Sequence, residues 1–278
     1  MALSHAARLR TELAALNQQY SAIHPSSHCE SRGGVIAYEP DETAGEHGNF
    51  LPATYRAILR NPGWRRRLAK QHSQRRSLPS RASGVWKELD SCMSSDALLM
   101  NIFCYPGTFS DGRVSCRMGT PADARPHFGF RARVPLAGGR FDRTEVDMKL
   151  ADLLVESKLT EVDFQAKPKA MVEGYRDFYE VFDRRLLPQT REQYLSYQLI
   201  RNVLASHALD MSFCVLLDLR RLDLVEEWHA VMRAVRPVAL RLRCKTLTWQ
   251  ELAADLPPRL RRFLAEKYGI LAVAVARV

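Results

Sequence analysis

Residues 145–159 read Glu-Val-Asp-Met-Lys-Leu-Ala-Asp-Leu-Leu-Val-Glu-Ser-Lys-Leu. Folded as a hairpin that turns at Ala151-Asp152, this segment sets Leu150 against Leu153, Asp147 against Glu156 and Glu145 against Lys158. Strand side chains alternate, so 145, 147, 156 and 158 project from one face, with opposed Cβ atoms about 5 Å apart. Two carboxylates and an ammonium then converge. The neighbours Leu153, Leu154, Val155 and Leu159 are apolar, and buried like charges cost several kcal/mol each unless compensated. A divalent cation compensates them: magnesium accepts one or two carboxylates and substrate phosphate oxygens. A lysine beside it orients a water or stabilises charge developing on phosphorus. The chemistry such a set would do is metal-assisted attack of water on a phosphate group. The competing reading is a cross-strand ion-pair network on a wet sheet face.

The elements that must hold this hairpin follow from periodicity. Residues 2–20 are a helix, 21–51 an irregular segment rich in Pro and Gly, and 62–71 a basic helix with Trp64, Arg65, Arg66, Arg67 and Lys70. A soft boundary falls at 77–84, giving a basic extension over 1–84 and a main domain over 85–278. In the main domain the pattern predicts a helix over 86–103 and strands over 127–135, 141–150 and 153–160. Helices follow over 168–182 and 191–207, the latter with Thr190 and Gln193 in capping-box spacing. Residues 211–219 are an apolar strand buried on both faces. A helix capped by Asp223, an alternating edge strand over 238–247 and helices over 249–254 and 257–267 follow, and the chain closes on 270–278. This order is an α/β mixed sheet flanked by helices.

Asp147 and Glu156-Ser157-Lys158 on successive strands, within that order, resemble the PD-(D/E)xK nuclease superfamily, the restriction-endonuclease-like fold, over roughly 86–247. The helix containing Ser94-Ser95-Asp96-Ala97-Leu98 and Asn101-Ile102-Phe103 is similar to one in the bacterial restriction-endonuclease-like proteins of unassigned biology. The resemblance implies Asp147 and Glu156 as ligands of Mg2+ or Mn2+, the Ser157 carbonyl as a third, and Lys158 as the catalytic lysine. Glu145 is a further ligand or a partner of Lys158. An acid of the first helix (Glu88, Asp90 or Asp96) would join them. Val146 stands where the superfamily often has proline. Gln193 and Tyr197 have the spacing of that superfamily's glutamine–tyrosine motif, and Gln198 and Arg201 lie on an adjoining stripe within reach of a phosphate.

The chain has 278 residues, 41 Lys plus Arg against 31 Asp plus Glu, and a net charge of +10. That balance favours a nucleic-acid partner, although 33 of the 41 cations are Arg, as a GC-rich genome alone would give, and the resemblance implies DNA first and RNA second. Arg65, Arg66, Arg67 and Lys70, with Arg75 and Arg76 after them, form the densest run and are the candidate phosphate contacts. Arg241, Arg243 and Lys245 read as the charged outer side of an edge strand. Six Cys without a CxxC pair exclude a disulfide scaffold and a zinc ribbon. His24, His28, Cys29 and His47 form no four-ligand pattern, so zinc is not expected. No apolar run approaches the ~20 residues of a membrane helix, and Arg8 and Arg10 precede no apolar core, so neither membrane segment nor signal peptide is expected. The expectation is a cytoplasmic, bacterial-style nuclease, with a homodimer left open. A non-catalytic nucleic-acid-binding or protein-interaction module of the same fold is the alternative.

Overall fold

A computed structural model describes residues 3–31, 33–41, 43–71 and 86–273. The expected boundary at 77–84, Arg75, Arg76 and the end of the closing segment lie outside them. The chain divides into two compact units, Met1–Pro126 with Thr248–Val278, and His127–Leu247. The division differs from a cut at residue 84 because the first helix, His5–Ile23, packs on a late one, Pro258–Tyr268.

The second unit is built on a five-stranded sheet. Its strands are β1 (Pro126–Arg131), β2 (Glu145–Leu150), β3 (Leu153–Ser157), β4 (Ser212–Leu217) and β5 (Cys244–Thr248), in spatial order β5-β4-β3-β2-β1. Strand β3 runs antiparallel to β2 and parallel to β4, so the sheet is mixed. Helices α1 (Tyr197–Leu209) and α2 (Leu222–Ala234) flank it. Leu154 of β3 and Phe213, Val215 and Leu217 of β4 share one buried cluster with Leu199, Val203 and Leu204 of α1. The run of five buried residues in both β3 and β4 confirms strands covered on both faces. The architecture is the expected one, an α/β mixed sheet flanked by helices.

Several elements differ from expectation, each for a local reason. Thr190 Oγ1 accepts from the N–H of Gln193 (3.1 Å), but this closes a turn. Gln193–Tyr194 is a short strand and α1 begins only at Tyr197, after Ser196 in the left-handed region. Over 238–247, Pro237 opens a helix, Val238–Arg243, which buries Leu240 and leaves Leu242 81% exposed; only Cys244–Thr248 is strand. The helix expected over 86–103 is a 3-10 turn, Glu88–Asp90, followed by Ser95–Phe103, because Ser94 caps the second piece through the N–H of Ala97. The stretch 168–182 is two single turns with Gly174 between them.

In the first unit, Asn17 and Lys267 lock the two packed helices. Asn17 Nδ2 donates to the Lys267 carbonyl (3.1 Å), and Lys267 Nζ donates to Asn17 Oδ1 (2.7 Å). Lys267 is fully buried beneath the ring of Tyr38, 3.9 Å from its centroid.

Ala151, in the β2–β3 turn, has φ +53; Ala151→Gly should raise stability by about 1 kcal/mol in denaturant melts. Burial lowers the Lys267 pKa to about 7. Between pH 7 and the ordinary lysine value of 10.5 the folded protein therefore binds fewer protons than the unfolded chain, so stability rises with pH. From pH 7 to about 8.5, the wild type should gain up to about 1.4 kcal/mol per pH unit more than Lys267→Met.

Candidate active site

Strands β2 and β3 pair through Leu150↔Leu153, Lys149↔Leu154 and Met148↔Val155, the register read from the sequence. Asp147 follows on the same face as Lys149. Its carboxylate Oδ2 accepts from the N–H (2.8 Å) and the hydroxyl (2.9 Å) of Ser157, one residue past Glu156. The N–H of Lys158 donates to the Leu216 carbonyl (2.8 Å), so the backbone at Lys158 stays anchored to β4.

The side chains of Glu156 and Lys158 are 2% and 6% exposed, and Lys158 Nζ donates to Glu156 Oε1 at 2.9 Å. Helix α1 completes the site. Gln198 Oε1 accepts from Lys158 Nζ (2.9 Å), and Asn202 Nδ2 donates to Glu156 Oε2 (2.9 Å). These two amides are one helical turn apart, so they share a face. Arg201, buried, donates to Asn202 Oδ1 (2.7 Å) and to the Glu145 carbonyl (3.0 Å). The Arg201 contact fixes which end of the Asn202 amide faces Glu156.

Burial, the largest influence on Glu156, favours its neutral form, but Lys158, Arg201 and the bonds it accepts outweigh burial and hold its pKa below the usual carboxylate range. Burial likewise opposes the charge on Lys158, and Glu156, Glu161 and Asp147 outweigh it, raising its pKa above the ordinary lysine value. Lys158 is thus a fixed cation that feels three acids. Glu161, whose carboxylate accepts from the N–H of Leu159 (2.7 Å), is the one the sequence reading missed. Asn202 was also missed; its spacing of four from Gln198 was the available signal.

Other expected residues have different surroundings. The Glu145 carboxylate lies 3.8 Å from Arg131. Arg67 Nη2 donates to Asp96 (2.9 Å) and Lys70 pairs with the same carboxylate, so these cations neutralise a buried acid within the first unit. Arg65 and Arg66 are exposed. Asp90 bonds His47 (3.2 Å) and Glu88 sits on the same turn. Gln193 is exposed, and the Tyr197 hydroxyl meets that of Tyr175 (2.8 Å). His47 Nδ1 accepts from the N–H of Asn49 (3.1 Å), so both its ring nitrogens are engaged. His24 lies 3.8 Å from Glu266, and His28 Nδ1 lies 2.8 Å from the Ser26 carbonyl.

Among the described residues no group of three or more His, Cys, Asp or Glu is arranged to hold a metal. The hairpin nevertheless offers the donors a hard cation takes. Glu156 spends two of a carboxylate's roughly four acceptor positions on Lys158 and Asn202, and Asp147 is only half-buried. Two carboxylates suffice for magnesium.

A family model described as "Restriction Endonuclease associating with ARP" matches residues 21–269, nine-tenths of the chain and parts of both units. The chain belongs to this family. Membership in a restriction-endonuclease family accords with the mixed sheet flanked by helices. Neither curated proteins nor solved structures gave a match. No helix among the described residues is long and apolar enough to cross a membrane.

The Glu156–Lys158 pair gives a stability test. Lys158→Met alone should cost about 3–5 kcal/mol in chemical denaturation, because it leaves a buried carboxylate unpaired. Adding Glu156→Leu should recover most of that loss. An equal or larger loss in the double variant would show that the two charges do not depend on each other.

Proposed function

We propose that this restriction-endonuclease-family chain is a magnesium- or manganese-dependent nuclease that hydrolyses phosphodiester bonds, with DNA as substrate. The supporting observation is the Lys158–Glu156 contact of 2.9 Å beside Asp147 on the adjoining strand. Asp147 and Glu156 would hold the ion, with the Ser157 carbonyl as third donor. When bound, the ion supplies Lewis-acid polarisation of the phosphate and activation of water.

This chain's own residues do the rest. Lys158, held protonated by its acids, presents a fixed positive charge to the charge that grows on the phosphate oxygens. It acts as an electrostatic stabiliser, because its charged form is the one the surroundings favour. Gln198 and Asn202 hold Lys158 and Glu156 in place, and Arg201 holds Asn202. Such preorganisation lets the site stabilise a transition state without reorienting when charge develops.

The near-complete burial of Glu156 and Lys158, and their mutual neutralisation, favour a second reading: a non-catalytic binding module that keeps the pair for structure. One experiment separates the two. Supercoiled DNA, linear DNA and RNA are incubated with the full chain and Mg2+, Mn2+ or EDTA. The proposed function predicts metal-dependent cleavage of DNA, reduced at least about 100-fold by Lys158→Ala and by Asp147→Asn. Circular dichroism verifies that both variants fold. Unchanged cleavage in both folded variants would discard the site, and DNA retention without cleavage would establish the binding module.

A further inference from the structure

Several cations that the sequence nominates for phosphate are spent inside the protein: Arg67 and Lys70 on Asp96, and Arg201 on Asn202 and the Glu145 carbonyl. A different set is exposed just ahead of β2. Residues Val134–Pro135 pair antiparallel with Phe141–Asp142, forming a short two-stranded ribbon. Its turn is closed by Leu136 N–H to the Arg140 carbonyl (2.9 Å) and Gly139 N–H to the Leu136 carbonyl (3.1 Å).

The ribbon and its flanks carry Arg133, Arg140 and Arg143, all exposed and none in an ion pair among the described residues. The Arg133 guanidinium lies 4.8 Å from the centroid of Phe141, a ring 43% exposed. The acid on the ribbon, Asp142, is already occupied, accepting from the N–H (2.8 Å) and hydroxyl of Thr144 and from the Tyr175 hydroxyl (2.6 Å). The exposed arginines form no ion pair with it. At the tip, a Cβ on Gly138 or Gly139 would meet nothing within 4 Å, and Gly139 has φ +72.

The Pro135–Ala137 side of the ribbon, up to the turn, is fixed. Ala137 N–H donates to the Gly174 carbonyl (2.9 Å) and Arg176 N–H to the Pro135 carbonyl (3.1 Å). After Arg143 and Thr144 the chain runs directly into β2, the strand of Asp147. An anchored pair of short strands with exposed guanidinium groups and an exposed aromatic ring suits a groove-binding element, and the major groove of duplex DNA admits a two-stranded ribbon. Arginines on backbone phosphates set position rather than sequence.

We propose that the ribbon of Arg133, Arg140, Phe141 and Arg143 is the arm by which this chain holds duplex DNA, with Arg140 and Arg143 on backbone phosphates, delivering the neighbouring strand to β2. This rests on the nuclease reading only for what happens after binding. Binding is therefore measured without cleavage, in EDTA, as fluorescence anisotropy of a labelled DNA duplex across a salt series. The full-length chain is compared with Arg140→Gln/Arg143→Gln, with Phe141→Ala, and with Arg259→Gln/Arg262→Gln, a control with the same charge change at exposed positions of the other unit.

The ribbon double variant should shallow the slope of log affinity against log salt by about 1.8, roughly 0.9 for each phosphate that is no longer neutralised. Phe141→Ala should weaken binding with the slope unchanged, and the control should match the wild type. An unchanged slope in the ribbon variant, an equal effect in the control, absence of duplex binding by the wild type, or tighter binding of single strands or duplex RNA would each overturn the proposal. Ribbon-dependent binding without cleavage in Mg2+ would sink the nuclease reading and leave this one standing. Cleavage indifferent to the ribbon would do the reverse.

Discussion

The site depends on one contact, an ammonium and a carboxylate buried together 2.9 Å apart at the end of β3. Neither charge is tolerable alone in that environment, and each is the other's main compensation. The remaining features serve the pair. Strand β4 holds the backbone of Lys158, Ser157 ties Asp147 to β3, and α1 supplies an amide to each charged group. The buried charge of Glu156 is thus matched within the protein, so an ion is not needed to make its burial tolerable. A metal at this hairpin would serve chemistry rather than folding.

The hairpin was legible in the sequence because its signal is strictly local. A period of two, a two-residue turn and an apolar flank specify which residues oppose which, and the observed pairs at 148–155 match that reading. The apolar run at 212–217 was legible for the same reason. Signals shared by two structures were not. Thr-x-x-Gln at 190–193 satisfies both a helix cap and a turn, and the turn won because α1 starts later. Alternation at 238–247 suits a strand, yet Pro237 favours a helix start, and only one of the leucines has a core to enter. The roles of Asn202 and Arg201 depend on which face of α1 meets β3, which a single helix's periodicity leaves open.

The cations show the same limit. Charge density along the chain marked 65–70, but density does not report pairing. A buried acid far along the sequence, Asp96, claims Arg67 and Lys70 and holds its own pKa low against burial because of them. Sparser arginines at 133, 140 and 143 stay exposed, and the acid on the same ribbon, Asp142, accepts from Thr144 and Tyr175. The two-unit organisation was equally hidden: it depends on Asn17 meeting Lys267, 250 residues away.

The most direct test is the protonation state of Lys158, followed by NMR of its side-chain nitrogen in the folded protein as pH is raised. The Glu156–Lys158 account predicts that the ammonium persists above the ordinary lysine value of 10.5, and that Glu156→Gln brings its titration down. A Lys158 that loses its proton at or below 10.5, or that titrates identically with and without Glu156, would contradict it.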